Sequence, residues 1–300
     1  MSKLGVALGG GGARGLAHIG VLKVLEREKI DIYAITGCSM GSVIGSLYSY
    51  YGNAEKVEEI MLNAISKIDL SEIGIPEEQT KNDLSFWDSF VTQIKFRFNV
   101  LRSLKDISLI HQEHTEKIFQ IIPDVDFSAL KIKFSAIATD LISGEEINIT
   151  RGNLRTAVKS SSAIPGIFPP VRRDNHYFVD GSASESVPAG KVRELGADRV
   201  IAINVSHCIK AEEEPQNVLE ILFRTEDITS FHLSQERLKE ADLIISPNVR
   251  HLTWAEFKKA EQIIAEGEKA TQQMLPEIEK LMNRYTITLE LEQLLKKFKD

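Results

Sequence analysis

The chain has 300 residues and a formal net charge of -7. Hydrophobic residues make up 43% and charged residues 26%, the balance of a globular protein long enough to bury a core. The acidic charge argues against a general nucleic-acid-binding protein, because such proteins need a basic field for phosphate groups. The two cysteines, Cys38 and Cys208, form no disulfide framework or metal-ligand spacing, which is typical of a reducing compartment.

No stretch approaches the ~18 consecutive apolar residues of a membrane span, and the first residues lack the pattern of a signal peptide. We therefore expect a cytoplasmic protein whose contact with lipid is peripheral, at the inner face of the membrane. No cofactor, metal or nucleic acid is expected as a partner. The sequence leaves the oligomeric state open.

The first fifty residues hold two strand–turn–helix units. Residues 4–8 form an apolar run of strand length, glycines occupy 9–12, and 16–28 has the spacing of an amphipathic helix. Residues 32–35 form the next predicted strand, and 42–51 form the helix that follows it. Two such units predict an α/β fold with a parallel sheet covered by helices.

A G-x-S-x-G pattern, Gly37-Cys38-Ser39-Met40-Gly41, stands between the second strand and its helix. In this pattern the serine occupies a strained turn, and the flanking glycines let the backbones pass closely. Ser39 is therefore the candidate nucleophile, at a helix N-terminus whose positive end favours an oxyanion. The same letters also occur in ordinary turns, and the strand–turn–helix context favours the nucleophile.

The glycine run has several interpretations. Gly10, Gly12 and Gly15 fit the dinucleotide fingerprint G-x-G-x-x-G, but the acid expected after the second strand is absent. A P-loop would need Gly-Lys followed by Ser or Thr, which is also absent. The remaining interpretations are a tight turn or an oxyanion hole. In the latter, the N–H groups of Gly10, Gly11 and Gly12 face an anion, and Arg14 adds charge or braces the loop.

The rest of the chain alternates between helices and strands up to about residue 283. The predicted helices are 53–67, 154–162, 187–195, 218–239 and 255–283, the last interrupted near Pro276. The predicted strands are 131–138, its hairpin partner 147–149, 176–179, 199–205 and 243–245. The proline-rich run 163–170 must be irregular, and 211–215 is an acidic loop. No repeat or linker is evident, so we predict one domain over 4–283 and a peripheral tail at 284–300.

Residues 68–123 have a different pattern, with aromatic residues among basic ones. This composition suits a lid or a membrane-facing element. A helical insertion whose aromatic residues lie in the core is slightly favoured. His111 and His114 lie three residues apart without a third ligand, which argues against a metal site.

Asp180 ends the strand predicted at 176–179 and is followed by Gly181 and Ser182. A carboxylate at the end of a strand is well placed to face the edge of the sheet. An Asp-Gly pair is also an ordinary turn, and on its own that interpretation would prevail.

In combination these segments resemble the bacterial patatin-like phospholipases, a family of serine acyl hydrolases. The resemblance covers roughly residues 4–283. It is carried, in the right order, by Gly10-Gly11-Gly12-Ala13-Arg14-Gly15, Gly37-Cys38-Ser39-Met40-Gly41, residues 161–170 and Asp180-Gly181. Residues 138–145 are also similar to the family.

The resemblance implies a three-layer α/β/α sandwich with a mostly parallel central sheet. It implies hydrolysis of carboxylic ester bonds in phospholipids or lysophospholipids through an acyl-enzyme, without a metal or cofactor. Ser39 would be the nucleophile and Asp180 the proton acceptor of a Ser-Asp dyad. Gly10, Gly11 and Gly12 would form the oxyanion hole, and the supporting residues would be Arg14, Gly15, Gly37, Gly41 and Gly181.

Several alternatives stay open. The family usually continues Asp-Gly with Gly or Ala; here the Ser182 hydroxyl could bond the base and alter its pKa. A triad-type hydrolase needs a histidine after the acid, and His207 is the candidate. The protein could instead be a carboxylesterase or thioesterase for soluble acyl substrates, or a lipid-binding regulatory protein with little activity. Acyl-chain, head-group and positional preference are not determined by the sequence.

Overall fold

A computed structural model describes residues 3–67, 107–108, 110–206, 208–209, 214–215 and 218–282. Most of the 68–123 segment, with its alternative interpretations, lies outside the described residues, as does the predicted tail. His207 and most of the predicted acidic loop also lie outside them.

Eight strands of the described chain form one sheet. They are β1 (Leu4–Leu8), β2 (Ile32–Cys38), β3 (Lys133–Asp140), β4 (Glu146–Ile149), β5 (Val171–Arg173), β6 (His176–Asp180), β7 (Arg199–Ile203) and β8 (Leu243–Ile245). The hydrogen-bonded pairs connect the strands in the order β5-β6-β3-β2-β1-β7-β8, with β6 and β2 along one edge of β3 and β4 along its other edge. The pairings that join β3, β2, β1, β7 and β8 are all parallel, so the predicted mostly parallel α/β sheet is confirmed. The short β5 was not predicted, because it directly follows the proline-rich run.

The helices are α1 (Ala17–Arg27), α2 (Met40–Tyr51), α3 (Ala54–Lys67), α4 (Gln112–Phe119), α5 (Leu154–Ser161), α6 (Ala189–Glu194), α7 (Val218–Leu238) and α8 (Ala260–Gln273). The first helix begins later than predicted, because residues 12–16 form a 3₁₀ turn. After α8 a turn at Met274 precedes a further helical run at 275–282. Pro276 falls in the first turn of that run, where its missing N–H costs no hydrogen bond.

The central strands are covered on both faces. Leu4, Val6 and Leu8 of β1 belong to the larger core, which contains residues of α1, α2 and α8. Ala7 faces the other way, into a smaller core that contains residues of α6. This alternation is the period of two expected for a strand. It confirms the three-layer arrangement of helices, sheet and helices.

Strand β3 holds two other strands end to end along one of its edges. It pairs with β2 in parallel through residues 133–137 and with β6 in antiparallel through residues 138–140. Strand β4 pairs with residues 136–139 and overlaps both, so β4 occupies the opposite edge. The C-terminal ends of β2 and β6 therefore meet head-on, with Cys38 opposite Ile137 and Asp180 opposite Ala138.

Helices α1 and α8 cross at very short range. A Cβ atom added to Gly20 of α1 would lie 2.0 Å from the carbonyl oxygen of Ile264, and one added to Gly267 would lie 2.0 Å from that of Ala17. Both contacts are with backbone atoms, which cannot rotate away. The crossing therefore depends on the two glycines.

We expect Gly20→Ala to lower the free energy of unfolding by about 1–3 kcal/mol, because the added methyl group overpacks this crossing. Gly45→Ala in α2 is the matched control, since its nearest atoms are side-chain carbons of Ile35 and Phe134 at 3.0 Å. Alanine also favours a helix by about 1 kcal/mol over glycine. Urea denaturation of both variants measures the difference, and equal stabilities would contradict the tight crossing.

Candidate active site

Ser39 occupies a sharp turn between β2 and α2. Its backbone angles are φ 50° and ψ −123°, in the left-handed half of conformational space that residues other than glycine rarely adopt. A Cβ atom at Gly37 would lie 2.4 Å from the carbonyl oxygen of Gly41, and one at Gly41 would lie 2.1 Å from that of Leu8. The two glycines therefore allow the strained turn to pack against β1.

Neighbouring serines hold the backbone of this turn. The N–H of Ser39 faces two acceptors of Ser161, the carbonyl oxygen at 3.1 Å and the hydroxyl at 3.2 Å. The carbonyl oxygen of Ser39 accepts from the hydroxyls of Ser42 at 2.7 Å and Ser162 at 3.3 Å. These bonds satisfy the polar groups that the sharp turn would otherwise leave unpaired. Ser161 and Ser162 lie in the segment 161–170 that carries the family resemblance, but this role was not predicted for them.

Asp180 is the last residue of β6 and is only 1% exposed. Burial raises the pKa of its carboxyl group, and hydrogen bonds to the ionised form act in the opposite direction. Oδ1 accepts from the Ser182 N–H at 2.9 Å, the Ser182 hydroxyl at 2.7 Å and the Cys38 thiol at 3.8 Å. Oδ2 is buried and has no hydrogen-bond partner among the described residues. The carboxylate therefore has one occupied and one vacant oxygen.

Ser39 and Asp180 line the same pocket. The Ser39 hydroxyl lies close enough to the Asp180 carboxylate to lower its pKa. The distance or angle between that hydroxyl and Oδ2 is nevertheless outside the range of an ordinary hydrogen bond. Catalytic hydrogen bonds are often long in ligand-free sites and shorten when a substrate is bound. The two side chains are adjacent because β2 and β6 end opposite neighbouring residues of β3.

The glycine loop lies against Ser39. A Cβ atom at Gly10 would lie 3.3 Å from that of Ser39. The N–H of Gly10 donates to the carbonyl oxygen of Ser186 at 2.8 Å, whereas those of Gly11 and Gly12 have no acceptor among the described residues. An anion in the pocket could thus accept hydrogen bonds from the N–H groups of Gly11 and Gly12 directly. The N–H of Gly10 could donate to it only after releasing the carbonyl oxygen of Ser186.

Arg14 braces the loop from below. Its Nε donates to the carbonyl oxygen of Val205 and its Nη1 to that of Leu252, both at 3.0 Å. The next backbone contact is from the Ala13 N–H to the carbonyl oxygen of Trp254 at 2.7 Å. Burial lowers the pKa of Arg14 to about 10, which leaves the guanidinium charged at neutral pH. Arg14 also lines the pocket, so bracing and charge are both available.

His18 is a second support of the loop. Its Nε2 lies 2.7 Å from the carbonyl oxygen of Gly9, and burial lowers its pKa to about 4. The ring is therefore neutral at pH 7, and Nε2 carries the proton, because a carbonyl oxygen can only accept. This is a structural contact rather than the acid–base position of a histidine.

The pocket has a volume of about 100 Å³, and α7 forms one of its walls. The helix contributes Glu226, Asp227, Ser230, Phe231 and Ser234 to its lining. The opposite walls are the glycine loop, the Ser39 turn, and the Asp180 strand end with Ser182. Among the described residues no histidine lines the pocket, and no cluster of side chains could hold a metal ion.

The supporting glycines predicted from the sequence make close contacts around this pocket. A Cβ atom at Gly15 would lie 2.6 Å from Met40 Cγ, and one at Gly181 would lie 2.4 Å from the carbonyl oxygen of Ile137. Gly15 thus lets the glycine loop approach the first residue of α2, and Gly181 lets the Asp180 strand end approach the backbone of β3.

The sequence model for patatin-like phospholipases matches residues 6–192, more than half of the chain. The chain belongs to the patatin-like phospholipase family. This confirms the resemblance inferred from the glycine loop, the G-x-S-x-G turn and the Asp-Gly pair. The match extends from β1 through α6 and includes Ser39 and Asp180.

Relatives within the family are larger proteins. An uncharacterized NTE family protein of Mycobacterium tuberculosis is 31% identical over 209 residues, which cover 68% of this chain and 49% of the relative. Patatin-like phospholipase domain-containing protein 6 of Mus musculus is 28% identical over 210 residues, which cover 67% of this chain and 13% of that protein. The chain thus spans half or less of the length of these relatives.

Among solved structures, VipD from Legionella pneumophila aligns with 92% of this chain and 67% of its own, at 14% identity and a TM-score of 0.48. In the part of this patatin-like chain that the structure describes, no helix is both long enough and apolar enough to cross a bilayer.

The two cysteines differ in environment, and we expect them to differ in reactivity. Burial first, and then the charge of Asp180, raise the pKa of the Cys38 thiol well above its usual value, whereas Cys208 is partly exposed. The thiolate is the reactive form, so a disulfide reagent should modify Cys208 in the native protein and Cys38 only on unfolding. Mass spectrometry of the modified peptides decides, and rapid native labelling of Cys38 would contradict the buried contact with Asp180.

Proposed function

We propose that the protein is a serine acyl hydrolase in which Ser39 is the nucleophile and Asp180 its general base. The observation that carries this proposal is the vacant Oδ2 of a buried carboxylate beside a serine on a strained strand-to-helix turn. A strained backbone persists only where the surrounding structure holds it, and such residues are concentrated at functional sites. The family supports hydrolase chemistry; the Ser-Asp dyad and the acyl-enzyme are our inference.

In the first step Asp180 accepts the proton of Ser39 while the serine oxygen bonds to the ester carbonyl carbon. The ester C–O bond then breaks, and the proton passes to the departing alcohol or lysolipid. In the second step water attacks the carbonyl carbon of the acyl-serine while Asp180 accepts a proton from the water. The acyl C–O bond to Ser39 then breaks, Asp180 returns that proton to the serine oxygen, and the fatty acid leaves. Burial raises the pKa of Asp180 toward neutral pH, which makes the carboxylate a stronger base than an exposed aspartate.

The negative oxygen of the tetrahedral intermediate needs donors that are already in place. The available N–H groups of Gly11 and Gly12, with the N-terminus of α2, supply this environment. Donors of this kind contribute ~2.7–4 kcal/mol each in characterised hydrolases. Arg14 keeps the loop in place through its two carbonyl contacts, so its proposed role is support rather than bond breaking.

Phospholipid or lysophospholipid esters are the proposed substrates, as the family name suggests. The pocket of about 100 Å³ is smaller than the ~300 Å³ or more of a site that encloses a drug-sized ligand. It can hold the ester group and a few carbon atoms, and the remaining substrate must project from its mouth. A pocket of this size also fits the alternative function, a carboxylesterase or thioesterase that acts on short soluble acyl groups.

A fluorophosphonate probe tests the dyad directly. We expect wild-type protein to be labelled at Ser39, Ser39→Ala to lose the label, and Asp180→Asn to slow labelling and ester hydrolysis by about 10²–10⁴-fold, the usual contribution of a general base. Peptide mass spectrometry locates the label. Hydrolysis of 4-nitrophenyl butyrate and of lysophosphatidylcholine in vesicles measures the activity.

Asp140→Asn is the matched control for removal of a buried carboxylate. Asp140 is 1% exposed and ends β3, where it bonds the backbone N–H of Tyr177 at 2.8 Å. It does not line the pocket. We expect this variant to lose stability but to keep labelling at Ser39 while it is folded. An unlabelled Ser39 in folded wild-type protein, with vesicles present, would refute the proposed hydrolase activity of this chain.

A further inference from the structure

Ser182 makes two contacts with the carboxylate of Asp180. It lies in the 3₁₀ turn Gly181–Ala183 directly after β6, partly exposed in the wall of the pocket. Its N–H and its hydroxyl both donate to Oδ1, at 2.9 Å and 2.7 Å. The Cys38 thiol, at 3.8 Å, is a longer and weaker third donor to the same oxygen.

We propose that Ser182 is a positioning residue, whose hydroxyl fixes Oδ1 of Asp180 so that the vacant Oδ2 faces the Ser39 hydroxyl. This inference rests on the proposed acyl hydrolase function. The plane of an aspartate carboxylate turns about χ2, a broad torsion with no sharp minimum. Two donors from one residue, one on the backbone and one on the side chain, restrict that rotation. The donor geometry therefore decides which oxygen is left to accept the proton.

The Ser182 hydroxyl also affects when the base is ionised. Hydrogen bonds to the ionised carboxylate lower its pKa, and here they oppose the larger effect of burial. Without the hydroxyl the pKa of Asp180 should rise further. A general base works only when deprotonated, so the acid side of the pH–rate profile should then move to higher pH.

Other titratable groups around Asp180 come from three elements. Cys38 of β2 is in direct contact, Arg14 lines the pocket from the glycine loop, and Glu226 and Asp227 line it from α7. Glu226 is exposed to solvent on α7, but partial desolvation of its carboxyl group at the pocket, followed by the charge of Asp180, raises its pKa. Removal of the Glu226 charge should therefore lower the pKa of Asp180, a shift opposite to that expected from removal of the Ser182 hydroxyl.

A further buried carboxylate lies on the segment that follows the 3₁₀ turn. Burial and the neighbouring Glu146 raise the pKa of Glu185 to about 8, and its charge also acts on Cys38. Arg237 of α7 lies 3.7 Å from Glu185, which ties this group to the helix that lines the pocket.

The experiment compares wild type with Ser182→Ala, Ser182→Gly and Ser182→Thr. Hydrolysis of 4-nitrophenyl butyrate is followed from about pH 4 to pH 9, and kcat and KM are separated at each pH. For Ser182→Ala and Ser182→Gly we expect the acid limb of kcat/KM to move up by about one pH unit, the scale of one hydrogen bond to a charged group. The plateau kcat should fall by about tenfold with KM nearly unchanged. Ser182→Thr, which keeps a hydroxyl, should restore most of both.

Two controls separate positioning from turn stability. Ser184→Ala removes a hydroxyl from the end of the same turn, where it bonds the Thr139 hydroxyl at 2.7 Å and the carbonyl oxygen of Gly181 at 3.4 Å rather than the Asp180 carboxylate. It should keep the wild-type pH profile at a similar melting temperature. Glu226→Gln should move the acid limb down rather than up.

The outcomes are distinguishable. An active, folded Ser182→Ala with the wild-type pH profile and plateau would overturn the positioning role and leave the dyad intact. If Ser182→Ala does not fold, Ser182→Gly decides, because it also lacks the hydroxyl and keeps the backbone donor. Wild-type protein that is neither labelled at Ser39 nor active would overturn the proposed function itself, and the role of Ser182 with it.

Discussion

The arrangement of the site depends on how strand β3 uses its edge. Residues 133–137 pair with β2 and residues 138–140 with β6, so two strands of opposite direction end at neighbouring positions. The candidate nucleophile follows one strand and the candidate base ends the other. They are 141 residues apart in the sequence, yet backbone hydrogen bonds to a single strand, β3, set their distance in space. The pair therefore depends on a ladder of main-chain bonds more than on any side-chain contact.

Much of this could be predicted from local pattern. The apolar run at residues 4–8 and the glycine-flanked Ser39 turn are short-range features, and both were confirmed as elements of the fold. The meeting of β2 and β6 was not predictable from spacing, because strand order is a long-range property that no local pattern encodes. The unassigned contacts of Ser161 and Ser162 have the same origin, since they join α5 to a turn far away in the chain. Helix starts shifted where a 3₁₀ turn came first, at residues 12–16 before α1 and at Phe257–Lys259 before α8, which begins at Ala260 rather than at 255.

Some polar groups of the site have hydrogen-bond partners and others have none, and the groups without partners are those that the proposed chemistry uses. Nearly every buried polar group in a folded protein has a partner. Here the turn at Ser39 uses Ser161, Ser42 and Ser162 for its backbone, and Asp180 uses Ser182 for one oxygen. Among the groups of the pocket without a described partner are Oδ2 of Asp180 and the N–H groups of Gly11 and Gly12. One is a proton acceptor and the others are donors, which is the complement that an ester undergoing attack requires.

The contact of Gly41 with the carbonyl oxygen of Leu8 has a consequence for how the site responds to a ligand. With only 2.1 Å available to a side chain at this point, the start of α2 rests directly on the end of β1. The glycine loop leaves from the same end of β1, so loop and turn share one rigid foundation and cannot separate without breaking the sheet. In water, solvent dipoles must reorient around a developing charge. Here the donors of the glycine loop and the turn are already oriented when the chain has folded. A bound ligand would therefore be accommodated by movement of α7, while the glycine loop and the Ser39 turn keep their positions.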